Sequence, residues 1–255
     1  MKLTERERAD RREAFRHMSA AQKADYIFSY YKLPIVLTLL FAYILGYGLY
    51  RHFSRKEVLL YVACANVAVS DETAEALSEE FVRRAGMDTR KYRVALYRNL
   101  YLSETPSLAN HQYAYASRLK LLAAADAGQL DVILMNREAY DSLSGGGYLA
   151  ELASSLSRND PALYERLQPR LTENEVVLED NSLALALGET EHYRAVTARE
   201  QNALDISQAP VLTDAGFTDS VFLGLAPNSP RIAAATEYIA YLESFLPEGA
   251  ADNGG

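Results

Sequence analysis

From Leu33 the chain runs eighteen residues without a charge, ending at Tyr50. At 1.5 Å per residue a helix of that length spans about 27 Å, close to the roughly 30 Å hydrocarbon core of a bilayer. Tyr26, Tyr30 and Tyr31 precede the run, and Tyr47 and Tyr50 close it. Such rings suit the two interfaces, half buried with the hydroxyl wet. The pattern predicts a transmembrane helix over 33–50. Upstream, residues 1–32 read as a juxtamembrane helical segment, with Glu and Arg interleaved through 5–16 and Ser19 as the N-cap of a piece over 20–32 that turns inward at Pro34.

After a linker at 51–56, apolar runs and capped helical stretches alternate, the pattern of an α/β fold. Residues 58–67 are nearly all apolar, which suits a central strand covered on both faces. Ser70 caps a helix to about residue 85, with Gly86 as its stop. Strand signals follow at 92–100, a long helix at 108–127 ended by Gly128, and a short buried strand at 130–135. This is a β-α-β-α-β unit. Beyond it, 140–156 gives short helical pieces broken at Gly145-Gly146-Gly147, and Asp160-Pro161 opens another helix. Short strands are predicted at 175–178, 183–187 and 192–197, then a polar irregular stretch over 199–218. A buried strand at 220–226 and a helix from Ser229-Pro230 to Phe245 complete the domain, with a disordered tail at 247–255.

Charge divides the chain at the same place. Residues 1–56 carry 11 Lys and Arg against 5 Asp and Glu, and residues 57–255 carry 15 against 29. The first part is therefore +6 and the second −14. Eight Lys and Arg precede the apolar run, among them Arg6, Arg8, Arg11, Arg12, Arg16, Lys23 and Lys32, and three follow it closely, a bias that places the N-terminus in the cytoplasm and the α/β domain outside, at the plasma membrane. An acidic domain with no basic stripe excludes nucleic acid as a partner. A leader more than thirty residues long, with no Ala-x-Ala site close behind the apolar run, argues against a cleaved signal peptide.

Two stretches carry a resemblance. Ala127-Gly-Gln-Leu-Asp-Val-Ile-Leu-Met135 followed by Gly147-Tyr-Leu-Ala-Glu-Leu152, and Val221-Phe-Leu-Gly-Leu-Ala-Pro-Asn-Ser-Pro230 leading into Ala233-Ala-Ala-Thr-Glu-Tyr-Ile-Ala-Tyr-Leu242, resemble the middle and the end of extracellular solute-binding proteins of the type-2 periplasmic-binding fold. The layout, with Tyr-Tyr-Lys before a single membrane helix, is similar to uncharacterised membrane-anchored proteins of Firmicutes-type bacteria. The resemblance implies an α/β, periplasmic-binding-protein-like domain over 57–246. Lobe one would cover about 57–143 and 219–246, and a reduced lobe two about 144–218. The chain has 18 Tyr and no Trp, so sugar stacking would fall to tyrosine.

In such a fold ligands meet the carboxyl ends of the parallel strands. That nominates Asn66 and Ser70 after the first strand, Tyr97 and Arg98 at the end of the second, and Asn136 and Arg137 after the third. Each has a structural reading beside it: Ser70 as a helix cap, the two Asn as turn residues, Arg98 as the partner of a surface acid.

Catalytic patterns are poor. The exterior domain holds only His111 and His192, no Gly-x-Ser-x-Gly elbow, no phosphate loop at Gly145-Gly146-Gly147, and no metal-ligand spacing. Cys64, inside an apolar run, reads as a buried small hydrophobe, and a lone cysteine excludes an intramolecular disulfide framework. The chain is thus expected to be no enzyme and to need no cofactor. Its expected partners are the lipid bilayer through 33–50, a small-molecule or peptide ligand, and a membrane protein. Two functions stand open: a membrane-tethered binding module that captures a ligand for transport or sensing, or a structural or interaction subunit of an envelope complex that binds none.

Overall fold

The computed structural model describes residues 16, 18–53, 56–188, 190–213 and 220–246. Residues 1–15 and 17 of the expected helical segment, the side chains of Tyr26, Tyr30 and Tyr31, and the tail 247–255 lie outside them. The chain divides into two compact units, residues 1–55 and 56–255.

The first unit is a helix, α1, Ala20–Phe53. A reciprocal pair of bonds starts it: Gln22 N–H donates to Ser19 Oγ at 3.3 Å and Ser19 N–H donates to Gln22 Oε1 at 3.1 Å. This is a capping box. The expected turn at Pro34 is absent, because the helix continues through it. Within α1, Lys32–Tyr50 has a mean hydropathy of 1.9 and no buried residue, so it is long and apolar enough to cross a membrane. Tyr43 and Tyr47 stack along it, one turn apart.

The second unit is α/β, with one mixed six-stranded sheet: β1 Glu57–Ala65, β2 Tyr92–Leu100, β3 Val132–Met135, β4 Leu171–Asp180, β5 Ala195–Asp205 and β6 Phe222–Leu225, in the order β2-β1-β3-β6-β5-β4. The first three are parallel. β6 then runs antiparallel to β3, β5 to β6, and β4 to β5. The segment expected to form a second lobe therefore supplies β4 and β5 to the same sheet.

Alternation along β1 sorts the core into two layers. Leu60, Val62 and Cys64 face a cluster built with α2 (Asp71–Glu75, Ala76–Glu80 and Phe81–Arg84, the middle piece π-helical) and with the later helices α5 Leu152–Asn159, α6 Pro161–Leu167, α8 Pro210–Thr213 and α9 Ile232–Glu243. Ala63 and Ala65 face the other layer, made with α3 His111–Asp126 and α4 Arg137–Gly145. The π turn loosens the α2 hydrogen-bond ladder where α9 meets it. Tyr238 and Tyr241 donate their hydroxyls to the carbonyls of Leu77 and Ala76 at 2.9 and 2.7 Å. Burial pushes both phenols up, Tyr241 to about 12, so each stays a donor.

The antiparallel half departs most from expectation. Residues 183–187 form a short helix, α7 Ser182–Ala186, in place of a strand, and the stretch expected to be irregular from 199 is the second half of β5. Leu-Ala-Leu-Ala-Leu alternates with period two, but Leu and Ala are strong helix formers, and Gly188 at φ +73° ends the turn. The 199–205 segment hides its strand character because a polar residue is buried in it. Asn202, fully buried, accepts from Tyr140 Oη at 2.8 Å and donates to Ser144 Oγ at 2.7 Å. Tyr140 also reaches Thr172 O and Ser144 reaches Glu175 O, both at 3.0 Å. These bonds fasten α4 across β5 and β4. Urea unfolding of Asn202→Ala should show a loss of roughly 1–3 kcal/mol, since two buried hydroxyls each lose a partner.

Candidate functional site

The parallel strands end at one end of the sheet, and the structure shows what each of the six nominated residues contacts. β1 closes on Asn66, whose backbone sits at φ +57°, a left-handed conformation that Asn tolerates. Its side chain is fully engaged. Oδ1 accepts Leu102 N–H at 2.8 Å, and Nδ2 donates to Leu102 O at 2.7 Å and to Asn136 Oδ1 at 3.1 Å. Asn136, next after β3, uses the same oxygen to cap α4 through Ala139 N–H at 3.0 Å. One pair of amides thus closes two strands, pins the loop after β2 and starts a helix.

Ser70 caps α2, accepting Thr73 N–H at 3.0 Å. Arg98 pairs with Asp71 at 2.7 Å, across an exposed surface. Arg137 pairs with Asp141 at 3.0 Å, and its guanidinium lies over the rings of Tyr140 and Phe222 at 5.5 and 5.8 Å. Tyr97 and Arg98 lie in the last four residues of β2, which ends at Leu100 as the sequence predicts. Tyr97 stacks on Tyr61, with ring centres 6.1 Å apart, under the Lys120 ammonium at 5.5 Å. Burial raises its phenol above the usual value. The structure therefore joins Asn66 to Asn136 directly and engages the other four with different partners.

A second polar centre lies at the opposite end of the parallel strands, unannounced by any motif. Asp131, fully buried just before β3, accepts Tyr61 N–H at 2.8 Å, Ser229 Oγ at 2.6 Å and Arg231 Nε at 2.8 Å. Arg231 also donates to Gly128 O and lies over the Tyr61 ring at 4.7 Å. The buried carboxylate has a charge partner and three donors, as a desolvated ion requires. It ties β1, β3 and the start of α9 together. The available signal was an acid at the mouth of an apolar run, with a Ser and an Arg two residues apart before a distant helix.

Beside it opens a cleft of roughly 230 Å³, lined chiefly by Leu121, Leu130, Ile133, Tyr148 and Pro227, with Asp126 and Asn228 as its polar members. None of the six nominated residues lines it. Among the described residues no three His, Cys, Asp or Glu side chains converge as metal ligands would. Cys64 is fully buried, and burial pushes its thiol up from 9.0 to about 12.

Compared with known proteins, the chain matches no family model, no curated protein and no solved structure. The likeness to solute-binding proteins rests on the quoted segments.

Two outcomes follow. Arg231→Ala should destabilise the α/β domain by roughly 3–5 kcal/mol in chemical unfolding, because it strands a buried carboxylate. The reactive thiolate of Cys64 forms only above its raised pKa, so a maleimide at pH 8 should leave the native chain unlabelled and react after unfolding in urea.

Proposed function

We propose that this chain is a single-pass, membrane-tethered interaction module, its N-terminus cytoplasmic and its α/β domain outside. The observation that carries this reading is the Asn66–Asn136 clasp. The groups a ligand would meet at the strand ends are already bonded to one another and to the backbone, and a ligand taking them would leave Leu102 and Ala139 N–H groups without acceptors. The apolar length of Lys32–Tyr50 supports the tether, and the excess of Lys and Arg before it supports the orientation. We read the fold as a solute-binding-like lobe whose second lobe is replaced by the β4–β5 ribbon.

The ligand-capturing alternative draws its support from the 230 Å³ cleft, which is apolar with a few polar members, as small-molecule sites are. A thermal-shift screen of the full chain in detergent, against sugars, amino acids and short peptides, separates the two. We expect no saturable rise in Tm; a saturable rise lost in Asn136→Ala would restore the strand-end receptor, and one lost in Leu130→Ala would assign the cleft.

Orientation has its own test. With Cys64 buried and no other cysteine in the chain, a single introduced thiol reports alone. An impermeant maleimide should label Ser107→Cys on intact spheroplasts and Ser19→Cys only after permeabilisation. The reverse pattern would invert the proposed topology.

A further inference from the structure

The β4–α7–β5 ribbon carries an exposed apolar surface at its tip. Leu178, Leu183, Leu185, Leu187, Tyr193 and Val196 are 38% to 73% exposed. Among the described residues, β5 pairs with β6 through Ala203–Asp205, and β5 is the one strand that β4 pairs with. The other half of the ribbon therefore projects beyond the sheet.

The tip is nevertheless built. Asn181 accepts Arg194 N–H at 2.7 Å and donates to His192 O at 2.8 Å. Asp180 accepts Ser182 Oγ at 2.6 Å and Tyr193 Oη at 3.2 Å. Polar groups bond to one another while the leucines face outward. Isolated exposed leucines need no explanation, but a cluster of this kind marks a contact surface.

Strand directions say where that surface points. Two antiparallel steps, β3 to β6 and β6 to β5, give β5 the same sense as β1. Ala63, Ile133, Gly224 and Ala203 lie in one row across the sheet. Glu57 begins β1 six residues before that row, and Ala195 begins β5 eight residues before it. The ribbon tip thus leaves the sheet at the end where the chain enters it. A twist of about 20–25° per strand over three steps turns the ribbon by roughly 60–75°, which keeps it on that side. Covalent length adds a second constraint: Phe53 ends α1 and Glu57 starts β1, so about 14 Å of extended chain is the most that separates them.

We propose that this tip is a second membrane contact, with α7 and the adjoining ends of β4 and β5 seated at the headgroup–acyl boundary of the bilayer that Lys32–Tyr50 crosses. The inference rests on the membrane reading above. Its occupant is zwitterionic lipid. Residues 178–196 carry Glu179, Asp180, Glu189 and Glu191 against Arg194, a balance that disfavours an anionic surface. Tyr193 keeps its hydroxyl on Asp180 and presents an exposed ring, as an interfacial aromatic does.

The chain has no Trp, so one introduced indole reports its own surroundings. Full-length Leu187→Trp in phosphatidylcholine vesicles should emit to the blue of the same variant unfolded in urea. Lipid brominated on the upper acyl chain should lower its emission about twofold or more, the depth of an interfacial helix being about 5–10 Å. Leu183→Trp should behave alike, guarding against a local fault at one position. Leu108→Trp, 99% exposed in the loop after β2 at the opposite end of the sheet, should be unaffected, and Ile44→Trp within the span should be quenched. If Ile44→Trp is quenched while both ribbon variants are not, the second contact is overturned and the anchor stands. If Ile44→Trp also escapes quenching, the membrane reading falls and this inference with it. A blue shift at the tip without bromine quenching assigns the surface to a protein, a second copy included, and likewise overturns the lipid contact.

Discussion

A hydrogen bond between two asparagine side chains, Asn66 and Asn136, holds the centre of this domain in register. A parallel strand ends by presenting backbone donors and acceptors to a loop, and each needs a partner when water is excluded. Here β1 and β3 end side by side, and the two amides close both. Asn66 takes a left-handed backbone to do so, and its oxygen and nitrogen together hold Leu102. Asn136 starts α4. With α4 placed, Tyr140 and Ser144 reach Asn202 and bring the antiparallel strands against the parallel ones.

The two ends of the sheet differ in chemistry. At the carboxyl end of the parallel strands the polar groups form a closed set, satisfied by loops and helix caps. At the amino end stands Asp131 with Arg231, beside an apolar cleft, and the ribbon extends to that side. The chain joins its long apolar helix there as well. In open α/β sheets a ligand site lies at the carboxyl ends of the strands. The distribution of bonded and open surface is what favours an interaction module over a solute trap.

Much of this order was legible in the residues. Continuous apolar runs bounded by Ser70, Gly86 and Gly128 marked the β-α-β-α-β half, because strands covered on both faces and capped helices leave strong local signals. The later half was harder. The apolar run at 183–187, bounded by turn residues, predicts a short strand, yet a five-residue Leu/Ala segment becomes a helix when no neighbouring strand is there to pair with it. Polar residues at 199–202 concealed β5, since its buried member is an asparagine serving other side chains. Sequence locates Asn66 and Asn136 after strands; only folding shows that each is the other's partner.

The most direct test of that partnership is a double-mutant cycle on the unfolding free energy of Asn66→Ala, Asn136→Ala and the combined variant. Because one bond joins them and each holds part of the other's loop, the combined loss should fall short of the two single losses added together by about 1 kcal/mol. Additive losses would mean that the two amides act independently, and would return them to the surface as groups free to meet a ligand.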